Sequence, residues 1–209
     1  QMVINFLKKL GLRNFYNNVF TSGEASLKYL TKELKNKKFF HVGPKKDFDL
    51  FKSFEENKVS NIRDSDYLLC TGLFENYQSD IDFYKNLLSE HIAKEMICTN
   101  PDLIVDRGKE REYCAGSVAK WFEEIKGKVI YFGKPYPPVY SLSSNTKNKN
   151  VLCIGDNLNT DIRGANIQNY DSLLITNGIH KNEISKIKLS NVIEKYKAKV
   201  NYFQTELKW

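Results

Sequence analysis

The stretch Val151-Leu-Cys-Ile-Gly-Asp156-Asn-Leu-Asn-Thr-Asp161-Ile-Arg-Gly-Ala165 decides the predicted fold. Its first four residues are an apolar run of the kind that forms a buried parallel strand. The run ends at a glycine, and the carboxylates of Asp156 and Asp161 follow in a segment that Asn159 or Thr160 could close by capping a new helix. A strand, a loop and a helix in this order indicate an open α/β sheet, which binds ligands at the carboxyl ends of its strands.

The two carboxylates of this segment have two interpretations. Oxygen ligands at the end of a strand suit Mg²⁺, which typically uses one or two carboxylates and keeps waters or phosphate oxygens as its other ligands. Alternatively, the segment is an acidic loop in which an aspartate only caps the helix. The spacing of Asp156 and Asp161 alone leaves both interpretations open.

The composition limits the class of protein. The 209 residues carry a net charge of +7, and a hydrophobic content of 41% is ordinary for a soluble globular protein. The charge raises the alternative of a basic nucleic-acid-binding protein, but lysine supplies nearly all of it and arginine, which reads bases, is scarce. No apolar run is long enough to span a bilayer, and no leader peptide opens the sequence. We therefore expect a cytoplasmic protein with no nucleic-acid and no membrane partner.

Strands and helices alternate along most of the sequence. In the second half, strands are predicted at 129–132, 151–154 and 172–176, and a late helix at 183–196. In the first half, strands are predicted at 38–42, 67–72 and 95–99. This alternation predicts an α/β fold class, with a Rossmann-like doubly wound parallel sheet.

Lys134 directly follows the predicted strand at 129–132 and stands between Gly133 and Pro135. A rigid turn there would aim the lysine side chain at the same crevice as Asp156. A lysine, a magnesium-binding carboxylate and a helix N-terminus around one crevice form a phosphate site, which catalyses phosphoryl transfer mainly by positioning and charge neutralisation. The alternative is a lysine that only faces solvent, and the Gly-Lys-Pro frame argues against it.

Gly133-Lys134-Pro135 and the segment from Gly155 to Ile162 resemble the third and fourth signature motifs of the haloacid dehalogenase superfamily. The similarity is to its class IIA branch, which includes pyridoxal-phosphate, nucleotide and 4-nitrophenyl-phosphate phosphatases. It extends in order over nearly the whole chain, through Val19-Phe20-Thr21-Ser22-Gly23-Glu24-Ala25, Leu69-Cys70-Thr71-Gly72-Leu73, Cys98-Thr99-Asn100-Pro101-Asp102, Cys114-Ala115-Gly116-Ser117 and Thr176-Asn177-Gly178-Ile179-His180. The resemblance implies a haloacid dehalogenase-like core formed by residues 1–19 and 129–209, with an inserted α/β cap domain at 20–128.

The resemblance also implies roles for the matched residues. Lys134 would hold the phosphoryl group and Asp156 would bind Mg²⁺ directly. Asp161 would support the metal through a water or from outside the set of direct ligands. Substrate or phosphate would contact the side chains or backbone of Thr21, Ser22, Asn100, Asp102, Asn157, Asn159 and Thr160. The implied partner is a small phosphorylated metabolite, and the cap would pair two chains in a homodimer.

One part of the family pattern is absent from the 209 residues. The nucleophile of these enzymes is the first Asp of an Asp-x-Asp-Gly motif, which the sequence does not contain. We therefore expect a core that is incomplete at its N-terminus. The second motif is a Ser or Thr, for which Thr21 and Ser22 are the best candidates, although either hydroxyl could instead cap a helix.

The sequence thus predicts a Mg²⁺-dependent phosphatase that hydrolyses a small phosphomonoester through an aspartyl-phosphate, with a nucleophile from outside the given residues. On its own, the given chain is expected to be inactive. The alternative is a non-catalytic remnant of the same fold that binds a phosphate ligand.

Overall fold

The computed structural model describes residues 2–11, 18–107, 110–143 and 150–208. Residues 12–17 and 144–149, which belong to the two ranges predicted as core, lie outside this description. Within the described residues, two parallel sheets carry helices, and a short antiparallel hairpin projects from the larger one. The predicted α/β fold with a parallel sheet core is confirmed.

The larger sheet has five parallel strands in the order β2-β1-β3-β4-β7. They are β1 (Phe39–Val42), β2 (Lys58–Val59), β3 (Tyr67–Cys70), β4 (Glu95–Cys98) and β7 (Lys128–Tyr131). The hairpin consists of β5 (Ile104–Arg107) and β6 (Glu110–Tyr113). All four residues of β3 are buried because helices cover both faces of the sheet, as expected of a central parallel strand.

Helices pack on both faces of this sheet. They are α2 (Ser22–Glu33), a 3₁₀ segment (Lys45–Asn57), a 3₁₀ turn (Ile62–Asp64), α3 (Ile81–Ser89), α4 (Ala115–Glu124) and α5 (Pro137–Ser143). The helix α1 (Met2–Lys9) precedes them in the chain and leaves Val3 and Phe6 exposed. Successive residues of a strand point to opposite faces, so Leu68 packs with α3 and α4 while Leu69 packs with α2 and the 3₁₀ segment. The chain therefore builds two apolar clusters, one on each side of a single sheet.

The smaller sheet has three parallel strands in the order β10-β9-β8. They are β8 (Leu152–Gly155), β9 (Asp171–Ile175) and β10 (Tyr202–Gln204). Its helical elements are a π-helical turn (Leu158–Ile162), α6 (Arg163–Ile167), α7 (Lys181–Ile184) and α8 (Leu189–Lys195). A third apolar cluster, which includes Leu158, Leu174 and Val192, holds the turn and α8 against β9.

The structure corrects three details of the sequence prediction. The strand β7 pairs with β4, with Val129 opposite Met96, and not with β8 or β9. The predicted domain boundary between residues 128 and 129 would therefore cut through the five-stranded sheet. The predicted buried strand β8 exposes Leu152 and Ile154, because in the described residues it pairs only with β9. The helix predicted at 183–196 is two short helices, α7 and α8.

Among the described residues, none of the helices is both long and apolar enough to cross a bilayer.

The pH dependence of stability provides a test of the buried His41. Burial, reinforced by the charge of Lys58, lowers the pKa of His41 to about 4, below the value of about 6.5 for an exposed histidine. The unfolded chain therefore takes up the proton first, and the free energy of unfolding falls as pH drops from about 6.5 to about 4, by up to about 3 kcal/mol. Since Gln can keep the hydrogen bond to Thr71 Oγ1 (2.8 Å), His41→Gln should lose less stability across this range.

Denaturant unfolding at several pH values measures this difference, with His91→Gln as the control. Identical pH profiles for His41→Gln and the unaltered protein would contradict the assignment.

Candidate active site

The candidate site lies where the chain leaves β7 and β8. After β7, the backbone reaches Lys134 through Phe132 and Gly133. Gly133 has a φ of 130°, and a Cβ there would lie 2.4 Å from Pro101 Cδ. Only glycine tolerates this conformation and this contact, so Gly133 lets the lysine loop press against the loop that follows β4.

Lys134 and Asp161 form an ion pair that joins the two sheets. Lys134 Nζ lies 2.5 Å from Asp161 Oδ1. The carboxylate is buried, whereas the lysine side chain is 54% exposed. An ammonium group has three donors, so Lys134 can hold Asp161 with one and still offer donors to a ligand from the open side.

The second oxygen of Asp161 holds the turn after β8. Asp161 Oδ2 accepts hydrogen bonds from the backbone N–H groups of Asp156 (3.2 Å) and Asn157 (3.1 Å). A Cβ on Gly155 would lie 2.2 Å from Asp161 Cγ, so the carboxylate needs a glycine at the end of the strand. Both carboxylate oxygens of Asp161 therefore bind protein groups, and Asp161 stabilises the turn.

Asp156 is better placed to bind a cation directly. Its Oδ2 accepts a hydrogen bond from Ile179 N (3.0 Å), and a Cβ on Gly178 would lie 2.2 Å from the same Oδ2. Its Oδ1 receives no hydrogen bond from the described residues, and the side chain is half-buried. One carboxylate with room for waters or phosphate oxygens fits Mg²⁺. No group of three His, Cys, Asp or Glu side chains suited to a metal occurs in the described part of the chain.

The turn between the two aspartates presents polar groups to a cavity. Asn157 caps it, its Oδ1 accepting from Asn159 N (2.8 Å), and its carbonyl accepts from the N–H groups of both Asp161 and Ile162. Asn157, Asn159 and Thr160 line a cavity of about 690 Å³ together with Lys134. The structure thus brings Lys134 and the predicted loop residues together.

Thr21 and Ser22 lie on another side of Lys134. Thr21 is the N-cap of α2, where its Oγ1 accepts from Glu24 N (3.2 Å) and Glu24 Oε2 accepts from Thr21 N (2.9 Å). This capping box is the alternative that the sequence left open for the Thr21 hydroxyl. Both residues also line a cavity of about 380 Å³ that Lys134 shares, so the helix start faces the site even though the Thr21 hydroxyl caps it.

Asn100 and Asp102 line that smaller cavity as well. Asn100 Oδ1 accepts from Asp102 N (3.1 Å), and the carbonyl of Asp102 accepts from Gly116 N (3.1 Å), which ties the turn to the start of α4. Partial loss of hydration raises the pKa of the Asp102 carboxyl, the charge of Lys134 lowers it, and Asp161 raises it again. Asp102 therefore belongs to the electrostatic environment of the Lys134–Asp161 pair.

Three residues of the site region were not predicted. Arg163 and Tyr136 line the larger cavity, and the buried His180 bonds to the turn through the Leu158 N–H. His180 ends the segment from Thr176 that resembles the family, but neither the resemblance nor the residues around it implied a role for its ring. The contact appears only when the β9 loop folds over the turn after β8.

Comparisons with known proteins bear on the family and the fold. Residues 131–197 match the family model described as HAD-hydrolase-like. No curated protein matches the sequence. Among solved structures, a haloacid dehalogenase-like family hydrolase from Brucella suis is 26% identical, with 86% of this chain and 69% of that one covered and a TM-score of 0.70.

Two phosphatases share the fold at lower identity. A p-nitrophenyl phosphatase from Archaeoglobus fulgidus is 17% identical, with 98% of this chain and 78% of that one covered and a TM-score of 0.74. A 4-nitrophenylphosphatase from Thermotoga maritima is 20% identical, with coverage of 99% and 76% and a TM-score of 0.70. Residues 131–197 are thus similar to HAD-like hydrolases, and the chain shares the fold of a haloacid dehalogenase-like hydrolase and of two phosphatases.

Proposed function

We propose that this chain forms the phosphate- and magnesium-binding part of a phosphatase that hydrolyses a small phosphomonoester. The observation that carries the proposal is the ion pair between Lys134 and Asp161, which sets an ammonium group beside the turn that starts with Asp156. The nitrophenyl phosphatases among the structural neighbours support the same reaction class.

Lys134 binds the phosphoryl group in this proposal. Its half-exposed side chain can donate hydrogen bonds to phosphoryl oxygens while Asp161 keeps it in place. Charge-assisted hydrogen bonds of this kind are stronger than neutral ones. Because the pair is fixed before a ligand arrives, little reorganisation is needed as charge develops on the phosphoryl oxygens.

Asp156 holds Mg²⁺ in this proposal, and the turn around it keeps that carboxylate oriented. Bound there, Mg²⁺ would offset the negative charge of the phosphoryl oxygens. Asp161 supports Asp156 by accepting its backbone N–H, and Asn157, Asn159 and Thr160 line the cavity that would receive the phosphate. The leaving group would contact Ser22, Asn100 and Asp102, which line the adjoining cavity.

The 209 residues contain no Asp-x-Asp-Gly sequence, and we propose that the nucleophile lies outside them. This absence favours a second candidate function, a protein that binds a phosphate ligand without hydrolysing it. One experiment distinguishes the two candidate functions. A form of the protein that carries an Asp-x-Asp-Gly strand ahead of residue 1 releases phosphate from p-nitrophenyl phosphate if the first proposal holds, and binds phosphate without turnover if the second does.

Two further parts of the proposal concern the setting of the protein. We place it in the cytoplasm, and we propose that two chains pair through the region 20–128. Size-exclusion chromatography with light scattering checks the pairing, and a monomer at all concentrations would end it.

Lys134→Met tests the phosphate site. Loss of the ammonium group removes a charge-assisted hydrogen bond, a contribution of about 1.5–3 kcal/mol, so orthophosphate should bind at least about tenfold more weakly. Isothermal titration with Mg²⁺ present measures the affinity. Lys32→Met is the matched control, because the Lys32 side chain is 82% exposed and pairs only with Glu33 in the described residues. Equal phosphate affinity in Lys134→Met and the control would contradict the proposal.

Asp156→Asn tests the magnesium site. The amide oxygen can still accept from Ile179 N, so the turn keeps its shape while the ligand loses its charge. Mg²⁺ should bind at least about tenfold more weakly, the loss that is already typical when an outer partner of a metal ligand is removed. Titration of backbone amide NMR shifts of residues 156–161 with Mg²⁺ measures this change. Asp64→Asn, at an exposed carboxylate, should leave the affinity unchanged.

A further inference from the structure

His180 makes a buried hydrogen bond from the loop after β9 to the π-helical turn after β8. The backbone N–H of Leu158 donates a hydrogen bond to His180 Nε2 at 3.1 Å. Leu158 is 1% exposed and His180 is 7% exposed. This hydrogen bond is therefore shielded from water, and a lost acceptor would leave a buried donor unpaired.

The position of Leu158 in the turn explains why it needs an acceptor from elsewhere. Leu158 is the first residue of the π-helical turn, so its N–H has no carbonyl partner within that turn. The side chain of the cap residue Asn157 accepts from Asn159 N instead. The imidazole of His180 supplies the acceptor that the cap does not.

The contact also fixes the protonation of the imidazole. Nε2 can accept only when it carries no proton, so a neutral ring has its proton on Nδ1. Nδ1 faces Glu183 Oε2 at 3.5 Å, and Glu183 itself is held by Lys195 and by the Tyr196 hydroxyl (3.1 Å). A carboxylate beside Nδ1 favours the tautomer that Leu158 requires.

The same short segment holds the turn at a second point. Ile179, next to His180, donates its N–H to Asp156 Oδ2 at 3.0 Å. Asp161, at the other end of the turn, holds Asp156 N and Lys134. His180, Ile179 and Asp161 therefore contact the turn at three points. Because these contacts are linked, a shift of Leu158 would move Asp156 and Asp161.

We propose that His180 is a positioning residue, whose neutral ring accepts the Leu158 N–H and so holds Asp156 and Asp161 in the geometry that binds the metal. This inference rests on the proposed function for its consequence, magnesium affinity. The hydrogen bond and the tautomer stand independently of it. A residue that only filled space would be replaced without loss by an apolar side chain of similar size.

The experiment compares His180→Leu, which removes the acceptor, with His180→Gln, whose Oε1 can take the place of Nε2. His91→Leu is the matched control, at a histidine in the turn that follows α3. Three quantities are measured by NMR on the full chain: the ¹⁵N shifts of the His180 ring, the exchange rate of the Leu158 amide without metal, and the Mg²⁺ affinity from the shifts of residues 156–161.

In the unaltered protein, Nε2 of His180 should have the ¹⁵N shift of an unprotonated ring nitrogen. His180→Leu should speed exchange of the Leu158 amide at least about tenfold and weaken Mg²⁺ binding by about 10–100-fold, as for other outer partners of a metal ligand. His180→Gln should restore most of both losses, and His91→Leu should change neither.

A proton on Nε2 in the unaltered protein, or equal amide exchange in His180→Leu and His180→Gln, would overturn the inference. The first of these measurements needs no variant, so it decides even if His180→Leu does not fold. Failure of the proposed function gives a different result. In that case the unaltered protein binds no Mg²⁺, while the tautomer and the amide exchange still test the hydrogen bond.

Discussion

The ion pair between Lys134 and Asp161 is the interaction on which the rest of the site depends. Asp161 is buried, and a buried carboxylate needs both a counter-charge and hydrogen bonds to offset its lost hydration. Lys134 supplies the charge, and the N–H groups of Asp156 and Asn157 supply the hydrogen bonds. A single side chain thereby links the loop that leaves the five-stranded sheet to the turn that leaves the three-stranded one.

Close approach of the backbone makes this linkage possible. Gly133 lets the lysine loop contact Pro101, Gly155 leaves room for the carboxylate of Asp161, and Gly178 leaves room for that of Asp156. A methyl group at any of the three would overlap atoms that define the site. The glycines therefore belong to the architecture of the candidate active site as directly as its charged residues do.

Much of the site could be predicted from the sequence because its residues follow strands in short, recognisable segments. Lys134 between glycine and proline, and the polar turn that follows Asp156, are local patterns, and the structure brings Lys134 and Asn157, Asn159 and Thr160 of that turn to one cavity. The partners of a strand are not a local property. Nothing in the residues of β7 indicates that it pairs with β4 instead of β8, and nothing around His180 indicates that its ring meets Leu158.

The spacing of Asp156 and Asp161 does not separate their roles, because either aspartate could bind a metal or cap a turn. The family resemblance implies direct metal binding for Asp156 and a supporting role for Asp161, and the structure gives a physical basis for this difference. Hydrogen bonding distinguishes them, because Asp161 has both oxygens occupied while Asp156 retains one that the described residues leave unbonded. The central claim is that an anion binds between Lys134 and a metal on Asp156. A crystal structure with magnesium and orthophosphate tests it most directly: the account predicts phosphate contacting Lys134 Nζ and Mg²⁺ on Asp156 Oδ1, and phosphate bound elsewhere with Asp156 free of metal would contradict it.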